Sequence, residues 1–515
     1  MLPKIINTVV VLILVVLFLA ILASSMTKPL SRDEQVYCTG GVMLAQGKTI
    51  YRDFSYVAQM PYHPLLYASL FRILNTTHYL LVGRILSVFC DILVVVCIVG
   101  IYRCVFDSFS ISAMLLGLAG AVLYVFNPIV DYANGFAWNN DVVILCVVLS
   151  VWLFQTTDFK RKSRYWRIAA IGALLTFATF MRITTALVQL LFFVILLIQP
   201  AESAKQRIKT ALPFLIATVF VSIWPVWTIT LAPRAFFLNL FSISILNSEW
   251  LHRIGLFHNK FRLTFSCLTT PGYFVLIVIA IYLCLTVAQQ RRRLTISNTT
   301  KLLLAPLLTV TFFIIALVMG TMWKQHLAMP VALLIISFAY PLLYLRKLTP
   351  RAGANNHFKV GCIVVAVCTL VSVVSYPVVL YRIPEVSAPR SWVPIRLHKV
   401  SEDIAEKTKS PKLVLTLAPL YALEGGCNIY TQFSSGPFVY RIADFMSPAD
   451  LDITHTAGAG TLKQFLEESP PGAVVLGVEP EFLEAALFQT AVSPEPEKWQ
   501  KHTYLDNGLI VYFRR

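Results

Sequence analysis

Charge is scarce in this chain. Only 13% of its 515 residues are Asp, Glu, Lys or Arg, and 57% are hydrophobic. A soluble domain carries about 25% charged residues, so this balance excludes one and indicates a protein that crosses a membrane many times. Acid is scarcer than base: 26 Asp and Glu stand against 43 Lys and Arg, a net charge of +17. No stretch interleaves basic and aromatic residues, so no nucleic-acid partner is expected. Ten cysteines are present without a C-x-x-C pair. Cys90, Cys97, Cys146, Cys284, Cys362 and Cys368 lie in apolar runs, where cysteine acts as a small hydrophobe. Cys38 and Cys427 lie outside those runs, and nothing in the sequence pairs them. Neither a disulfide framework nor a zinc site is read. There is no internal repeat, no low-complexity tract and none of the inverted symmetry that favours a transporter.

What the sequence has instead is long apolar runs. Mean hydropathy is +0.71, and stretches of about 17–25 apolar residues recur, the length that crosses a bilayer as helix. The first, Ile5 to Ala23, precedes no A-x-A cleavage site, so it is read as a retained span. Further spans are expected near 80–102, 111–126, from Asp141, 168–180, 186–199, 211–231, 272–287, 302–320, 331–346 and 360–381. His63 to Leu74 reads as an amphipathic interfacial helix. Basic loops at 158–167, 200–210, 288–301 and 346–359 mark the inner side. Parity then places 26–64, 127–140, 232–270, 321–329 and the tail after 382 on the outer side, with the N-terminus inside.

The tail has a different character. Leu413 to Leu417 and Ala473 to Val478 read as buried strands, and Leu462 to Glu468 and Glu481 to Phe488 as helices. Asp506-Asn507-Gly508 within Tyr504 to Tyr512 is a hairpin signal. The expected architecture is an α-helical polytopic membrane protein of about eleven spans, residues 1–381. A small extracytoplasmic α/β domain over 382–515 follows it. Two N-x-T sequons, at Asn75 and Asn298, have no more than chance support.

Chemistry is expected around the stretch from Lys28 to Pro64. It begins with Arg32, Asp33 and Glu34 beside the first span. Charged residues commonly flank span ends, but acids are few here, and an unpaired charge at the bilayer face is costly. Asn139, Asn140 and Asp141 form a second polar point at the start of a span; they cap its helix or bind metal or substrate. Asp131 is a candidate for the same work. Trp323-Lys324-Gln325-His326 occupies a short outer loop. Lys324 there runs against the usual charge bias, and with Arg182 and Arg52 it is a candidate phosphate site.

The stretch DEQVYCTGGVMLAQGKTIYRDFSYVAQMPYHPLLY resembles the first outer loop of GT-C glycosyltransferases. The nearest kinds are the bacterial family-39-like enzymes, related to protein O-mannosyltransferases and lipid A aminoarabinose transferases. The resemblance rests on Asp33, Glu34, Tyr37, Gly47, Tyr51, Asp53, Phe54, Pro61 and Pro64. It extends to Arg84, to Gly172 through Ala186 with Arg182 where Lys is usual, and to Lys324, His326 and Pro330.

It implies a GT-C-like fold. It also implies transfer of a sugar, with inversion, from a polyprenyl-phosphate donor to a lipid, glycan or protein acceptor on the outer face. Asp33 would be the general base, with Glu34 assisting. Arg52, Arg182, Lys324 and His326 would hold the donor phosphate. Tyr37, Tyr51, Asp53, Tyr62 and Asn140 would contact substrate. A divalent metal, Mg or Mn, is a candidate cofactor on Asp141 or Asp131 with Asp33. The implied location is a bacterial inner membrane. The alternatives are a lipid-linked oligosaccharide flippase, with Asp91 as its intramembrane charge, and a surface-polysaccharide polymerase or ligase.

Overall fold

The computed structural model describes residues 2–106, 111–199, 203–257, 259–290, 299–348, 355–504 and 508–515. Arg291, Arg292, Arg293, Asn298, Arg351 and the Asp506-Asn507 turn lie outside them.

An apolar helix stands at each expected span. In chain order the first helices are α1 (Leu2–Thr27), α2 (Arg32–Ala45), α3 (Tyr62–Leu74), α4 (Tyr79–Val105), α5 (Ile111–Val125) and α6 (Pro128–Ala133). Next come α7 (Asn140–Thr156), α8 (Arg164–Thr179), α9 (Ala186–Leu197), α10 (Ala204–Leu231), α11 (Pro233–Phe237), α12 (Ile243–Arg253) and α13 (Lys260–Leu268). The last of the bundle are α14 (Pro271–Gln290), α15 (Thr299–Val318), α16 (Met329–Ser337), α17 (Ala339–Leu348) and α18 (Asn355–Ser375). Among the described residues, seven helical segments are long and apolar enough to cross a membrane: α1, α4, α10, α14, α15, α18 and the run through α16 and α17. The spans expected at α5, α7, α8 and α9 are shorter helices. On α10, Val219 and Phe220 are 67% and 74% exposed. An apolar face laid open over a whole helix is a lipid contact.

The two ends of the bundle differ. One gathers basic and amide groups: Lys301 Nζ donates to the carbonyls of Gln155 (2.8 Å) and Thr157 (3.1 Å), and Thr300 bonds Gln199 at 3.2 Å. Arg167 reaches the Thr156 carbonyl there. The other end carries α2, α3, α6, α11 to α13 and the C-terminal region.

The stretch read as an outer loop is largely helix. Ser31 caps α2, its hydroxyl accepting from Asp33 N at 3.3 Å, and Ser31 N donates to Glu34 Oε2 at 2.9 Å. This reciprocal box starts the helix. Gly40 and Gly41, poor helix formers, stand where α2 meets its neighbours. A Cβ on Gly41 would lie 2.6 Å from Tyr67 Cβ on α3, and one on Gly40 would lie 2.5 Å from the Tyr56 ring. The gain in close packing offsets the roughly 1 kcal/mol that each glycine costs a helix.

The C-terminal region forms a five-stranded sheet: β1 (Leu413–Leu415), β2 (Asn428–Ile429), β3 (Ala473–Leu476), β4 (Trp499–Tyr504) and β5 (Leu509–Arg514). The order is β2-β1-β3-β5-β4, parallel through β2, β1 and β3 and antiparallel through β5 and β4. The expected helices lie at Leu462–Glu468 and Glu481–Ala491. β2, two residues long, left no alternating pattern to read. Cys38 and Cys427 are both free and buried.

This region is bound to the site end of the bundle. One apolar cluster joins Val36, Met43 and Tyr67 to Ile404, Leu420 and Val511. Gln35 Oε1 accepts from Leu420 N at 3.0 Å. Glu424, buried, accepts from Leu80 N at 2.6 Å and so satisfies an open N–H in the first turn of α4. Ser434 and Ser435 donate to the Ser55 carbonyl at 3.2 and 2.8 Å. Arg32 pairs with Glu479 at 2.9 Å.

Candidate active site

The two adjacent acids of α2 point apart, because successive helix residues are rotated by about 100°. Glu34 faces inward and is fully buried. Its carboxylate meets the Arg84 guanidinium fork to fork, Nε to Oε1 and Nη2 to Oε2 both at 2.8 Å. Ala137 N donates to Oε1 at 2.7 Å. Arg84 spends its other hydrogens on the carbonyls of Ser25 (2.8 Å), Lys28 (2.9 Å) and Pro29 (3.2 Å). Both oxygens of Glu34 are committed to these bonds, which anchor the helix that carries Asp33.

Asp33 is half-buried. Among the described residues its carboxylate accepts no hydrogen bond. Burial pushes its pKa up to about 6; Glu34 adds to this, while Arg441, Arg182 and Arg32 oppose it. A carboxyl group tuned toward neutrality and left unpaired is the profile of a general base.

Tyr37, one turn along α2, lies beside Asp33. Its ring packs edge-on against His63 at 4.7 Å and Tyr56 at 6.3 Å. Burial, and then the Asp33 charge, raise its phenol far above the ordinary value, so it remains a hydrogen-bond donor. Gln59 faces the same hydroxyl, and its own Oε1 accepts from Asn139 Nδ2 at 2.9 Å.

The cationic side of the site comes from three places. Arg182, between α8 and α9, donates to Asn140 Oδ1 at 3.1 Å. It lines a small cavity with Thr184, Phe312, Ile315, His326 and Met329. His326 Nδ1 accepts from Trp323 N at 3.2 Å. Its Nε2 therefore carries the hydrogen of the neutral ring and is a donor. Lys324 is exposed and lies 5.9 Å over the Tyr132 ring. Burial, and the Asp33 carboxylate after it, raise the Tyr132 phenol, which places α6 within reach of Asp33. The third contribution is Arg441 of the C-terminal region. Its guanidinium is held over Trp250 (4.6 Å) and Phe438 (4.9 Å), and its Nε bonds Asn247 at 2.8 Å.

Several expected site residues serve other ends. Arg52 is exposed and pairs with its neighbour Asp53 at 2.8 Å, and Asp53 Oδ2 accepts from Thr49 N at 2.6 Å. Both take part in closing the turn after α2. Tyr51 is fully buried, packs on Phe236 at 5.3 Å and donates to the Gln59 carbonyl at 2.7 Å. Tyr62 donates to the Val221 carbonyl and stacks on Trp224 at 5.6 Å, fixing α3 to α10. Asn140 orients Arg182 and is buried.

The expected metal site is not assembled. Asp131 is bound by Arg382 at 3.0 Å, by the Tyr376 hydroxyl at 2.6 Å, by Ser24, and by Lys28 at 3.6 Å. Burial raises its carboxyl, but Lys28 and Arg382 together hold it well below the usual range. Asp141 is buried and accepts from Gly135 N at 3.2 Å; among the described residues its Oδ1 has no hydrogen-bond partner. Neither joins Asp33, and among the described residues no three His, Cys, Asp or Glu side chains are grouped to hold a metal.

Arg441, Gln59 and Tyr132 were not legible as site residues. Arg441 lies in the α/β tail, far from any motif. Gln59 and Tyr132 stand beside motif residues, where a polar side chain is ordinary.

Residues 59–229 match the family model of dolichyl-phosphate-mannose-protein mannosyltransferases. The matched segment holds Arg84, Asn140 and Arg182 but begins after Asp33. No curated protein matches the sequence. Among solved structures the chain is similar to ArnT from Cupriavidus metallidurans bound to undecaprenyl phosphate. The TM-score is 0.61 at 12% identity, over 99% of this chain and 97% of that one. It is equally similar to the apo state of the same protein, with TM-score 0.60 at 11% identity over 98% of each chain. A weaker likeness is to the Archaeoglobus fulgidus oligosaccharyltransferase, TM-score 0.49 at 12% identity over 98% of this chain and 74% of that one. The fold is therefore that of ArnT along the whole chain. The resemblance to GT-C glycosyltransferases read from the sequence holds for the fold and for the matched segment.

Proposed function

We propose that this protein moves a sugar from a polyprenyl-phosphate donor to an acceptor, at the membrane face that carries α2 and the C-terminal region. The observation that carries this reading is Asp33. It is an unpaired carboxylate with a pKa near 6, on a helix fixed by a buried ion pair, with Arg441, Arg182 and Arg32 close enough to act on its charge. The family-model match and the ArnT fold support the class of reaction.

In this reading Asp33 takes the proton of an acceptor hydroxyl as that oxygen attacks the anomeric carbon. The bond from that carbon to the donor's phosphate oxygen breaks, and direct displacement inverts the centre. Tyr37 and Gln59 orient the acceptor beside Asp33. Arg182 and His326 Nε2–H meet the charge that grows on the departing polyprenyl phosphate, with Lys324 at the rim. Asp131 is held by Lys28, Arg382 and Tyr376 and ties this end of the bundle together.

The test is release of free polyprenyl phosphate by the purified protein in lipid. It is supplied with polyprenyl-phosphate sugars and a cell-envelope acceptor extract, with and without a divalent cation. Release that Asp33→Ala abolishes supports the reading. Full release from Asp33→Ala overturns it. Lipid-linked glycan that crosses the bilayer without release identifies a flippase instead.

A further inference from the structure

Asp91 lies midway along α4 and is buried. A carboxyl group there is expensive unless its oxygens are met. One of them, Oδ1, is met by a continuous chain of hydrogen bonds, and the Asp141 carboxyl faces the same group. Asn134 Nδ2 donates to Asp91 Oδ1 at 2.7 Å, and the Tyr124 hydroxyl donates to the same oxygen at 3.0 Å. Asn134 Nδ2 also reaches the Tyr124 oxygen at 2.8 Å. Asn134 Oδ1 then accepts from Asn140 Nδ2 at 2.8 Å, and Asn140 Oδ1 accepts from Arg182 Nη1 at 3.1 Å. All the members between Asp91 and Arg182 are buried.

The direction of this chain is its content. Asp91 Oδ1 is an acceptor, taking both the Tyr124 hydroxyl and the Asn134 amide, so Asn134 turns its NH2 toward Asp91 and its carbonyl outward. Asn140 must then do the same. The outer end is a carbonyl oxygen aimed at a cation, polarised by each bond behind it. A second tie holds the backbone: Asn139 Nδ2 donates to the Met181 carbonyl at 3.0 Å, one residue before Arg182.

We propose that Asp91 positions the Arg182 guanidinium from within the helix bundle, through the ordered amides of Asn134 and Asn140. Asp91 is a positioning residue and does not touch substrate. The inference rests on the reading of Arg182 as a donor-phosphate ligand only for its purpose; the positioning is separate. Asp91→Asn keeps the shape but removes the rule. The new amide can donate, both Asn side chains can reverse, and Asn140 then presents NH2 to a guanidinium that has only donors of its own.

The experiment measures Arg182 directly. The purified full chain in lipid nanodiscs is treated with butanedione, and modification of Arg182 is followed by peptide mass spectrometry, with exposed Arg161 as internal reference. A lost or reversed hydrogen bond is expected to speed modification of Arg182 about 2- to 10-fold in Asp91→Asn, with Arg161 unchanged. Asn140→Ala should give the same increase, and the double variant no more than Asn140→Ala alone, since all act through one chain. An unchanged Arg182 rate in both single variants overturns the proposal. So do increases that multiply in the double variant, which would mark two independent structural defects. Undecaprenyl phosphate is then added as a probe. Failure to protect Arg182 in the wild type sinks the donor-phosphate reading, and the modification rates still decide the positioning.

Discussion

Asp33 should cost the protein stability at the pH where it works. Its folded-state pKa is about 6 against 3.8 for a free carboxyl, and burial is the chief cause. Below pH 4 both folded and unfolded chains hold the proton, and the site costs nothing. Between 4 and 6 the unfolded chain releases it and the folded one does not. Stability therefore falls as pH rises, by about 1.4 kcal/mol per unit, and the loss is complete above pH 6. The full shift corresponds to on the order of 3 kcal/mol, and solvent access to the carboxylate reduces this to about 1–3 kcal/mol. Asp33→Asn removes the charge and keeps the shape. Its loss of a negative charge in the first turn of α2 returns only about 0.3–1 kcal/mol. Thermal unfolding of the two proteins in the same detergent should thus give a higher Tm for Asp33→Asn at pH 7.5. The gap should close toward pH 4. In the transfer assay the same variant should lose at least about 100-fold in rate. A lower Tm for Asp33→Asn at pH 7.5, or a Tm difference independent of pH, would refute a desolvated, unpaired carboxylate at this position.

Further outcomes follow from the same geometry. Transfer by the wild type should fall as pH drops through about 6, as Asp33 takes up a proton, and Arg441→Gln should move that limb to higher pH, because Arg441 lowers the Asp33 pKa; a pH–rate profile of kcat/KM reads both. Glu34→Ala or Arg84→Met should each destabilise by about 3–5 kcal/mol, since either leaves a buried charge unpaired; denaturation midpoints and yield of folded protein measure it. Asp131→Asn should lower thermal stability, and its transfer rate should respond to added divalent cation no differently from the wild type. Arg52→Ala should leave KM for the donor within about twofold, because the Arg52 guanidinium is exposed and engaged with its neighbour Asp53.

The spans, their order, the strands β1 and β3 and the Leu462–Glu468 helix could all be read from the sequence. Each is a local property: hydropathy over a bilayer's width, or a short apolar run between turn residues. A membrane narrows the choice further, because a spanning chain must satisfy its backbone within itself. Asp33, Arg182 and His326 also stand out in the sequence, as polar residues at span edges where apolar ones are the rule, and they carry the proposal made above.

What the sequence alone could not decide was which polar groups remain free. Asp33 and Glu34 are neighbours of the same chemistry. Only the arrival of Arg84 fifty residues later, with Ala137 N, consumes one and leaves the other. Asp131 looks like a metal ligand until Lys28 and Arg382 close on it from opposite ends of the bundle's sequence. Arg441 acts on Asp33 because the C-terminal region docks on α2 and α4 through Leu420, Glu424 and Glu479, and no local pattern records that docking. A side chain's propensity is set by its neighbours along the chain. Its charge state and availability are set by partners that only folding brings within a few ångströms, where burial strengthens every pairing and penalises each group left without one.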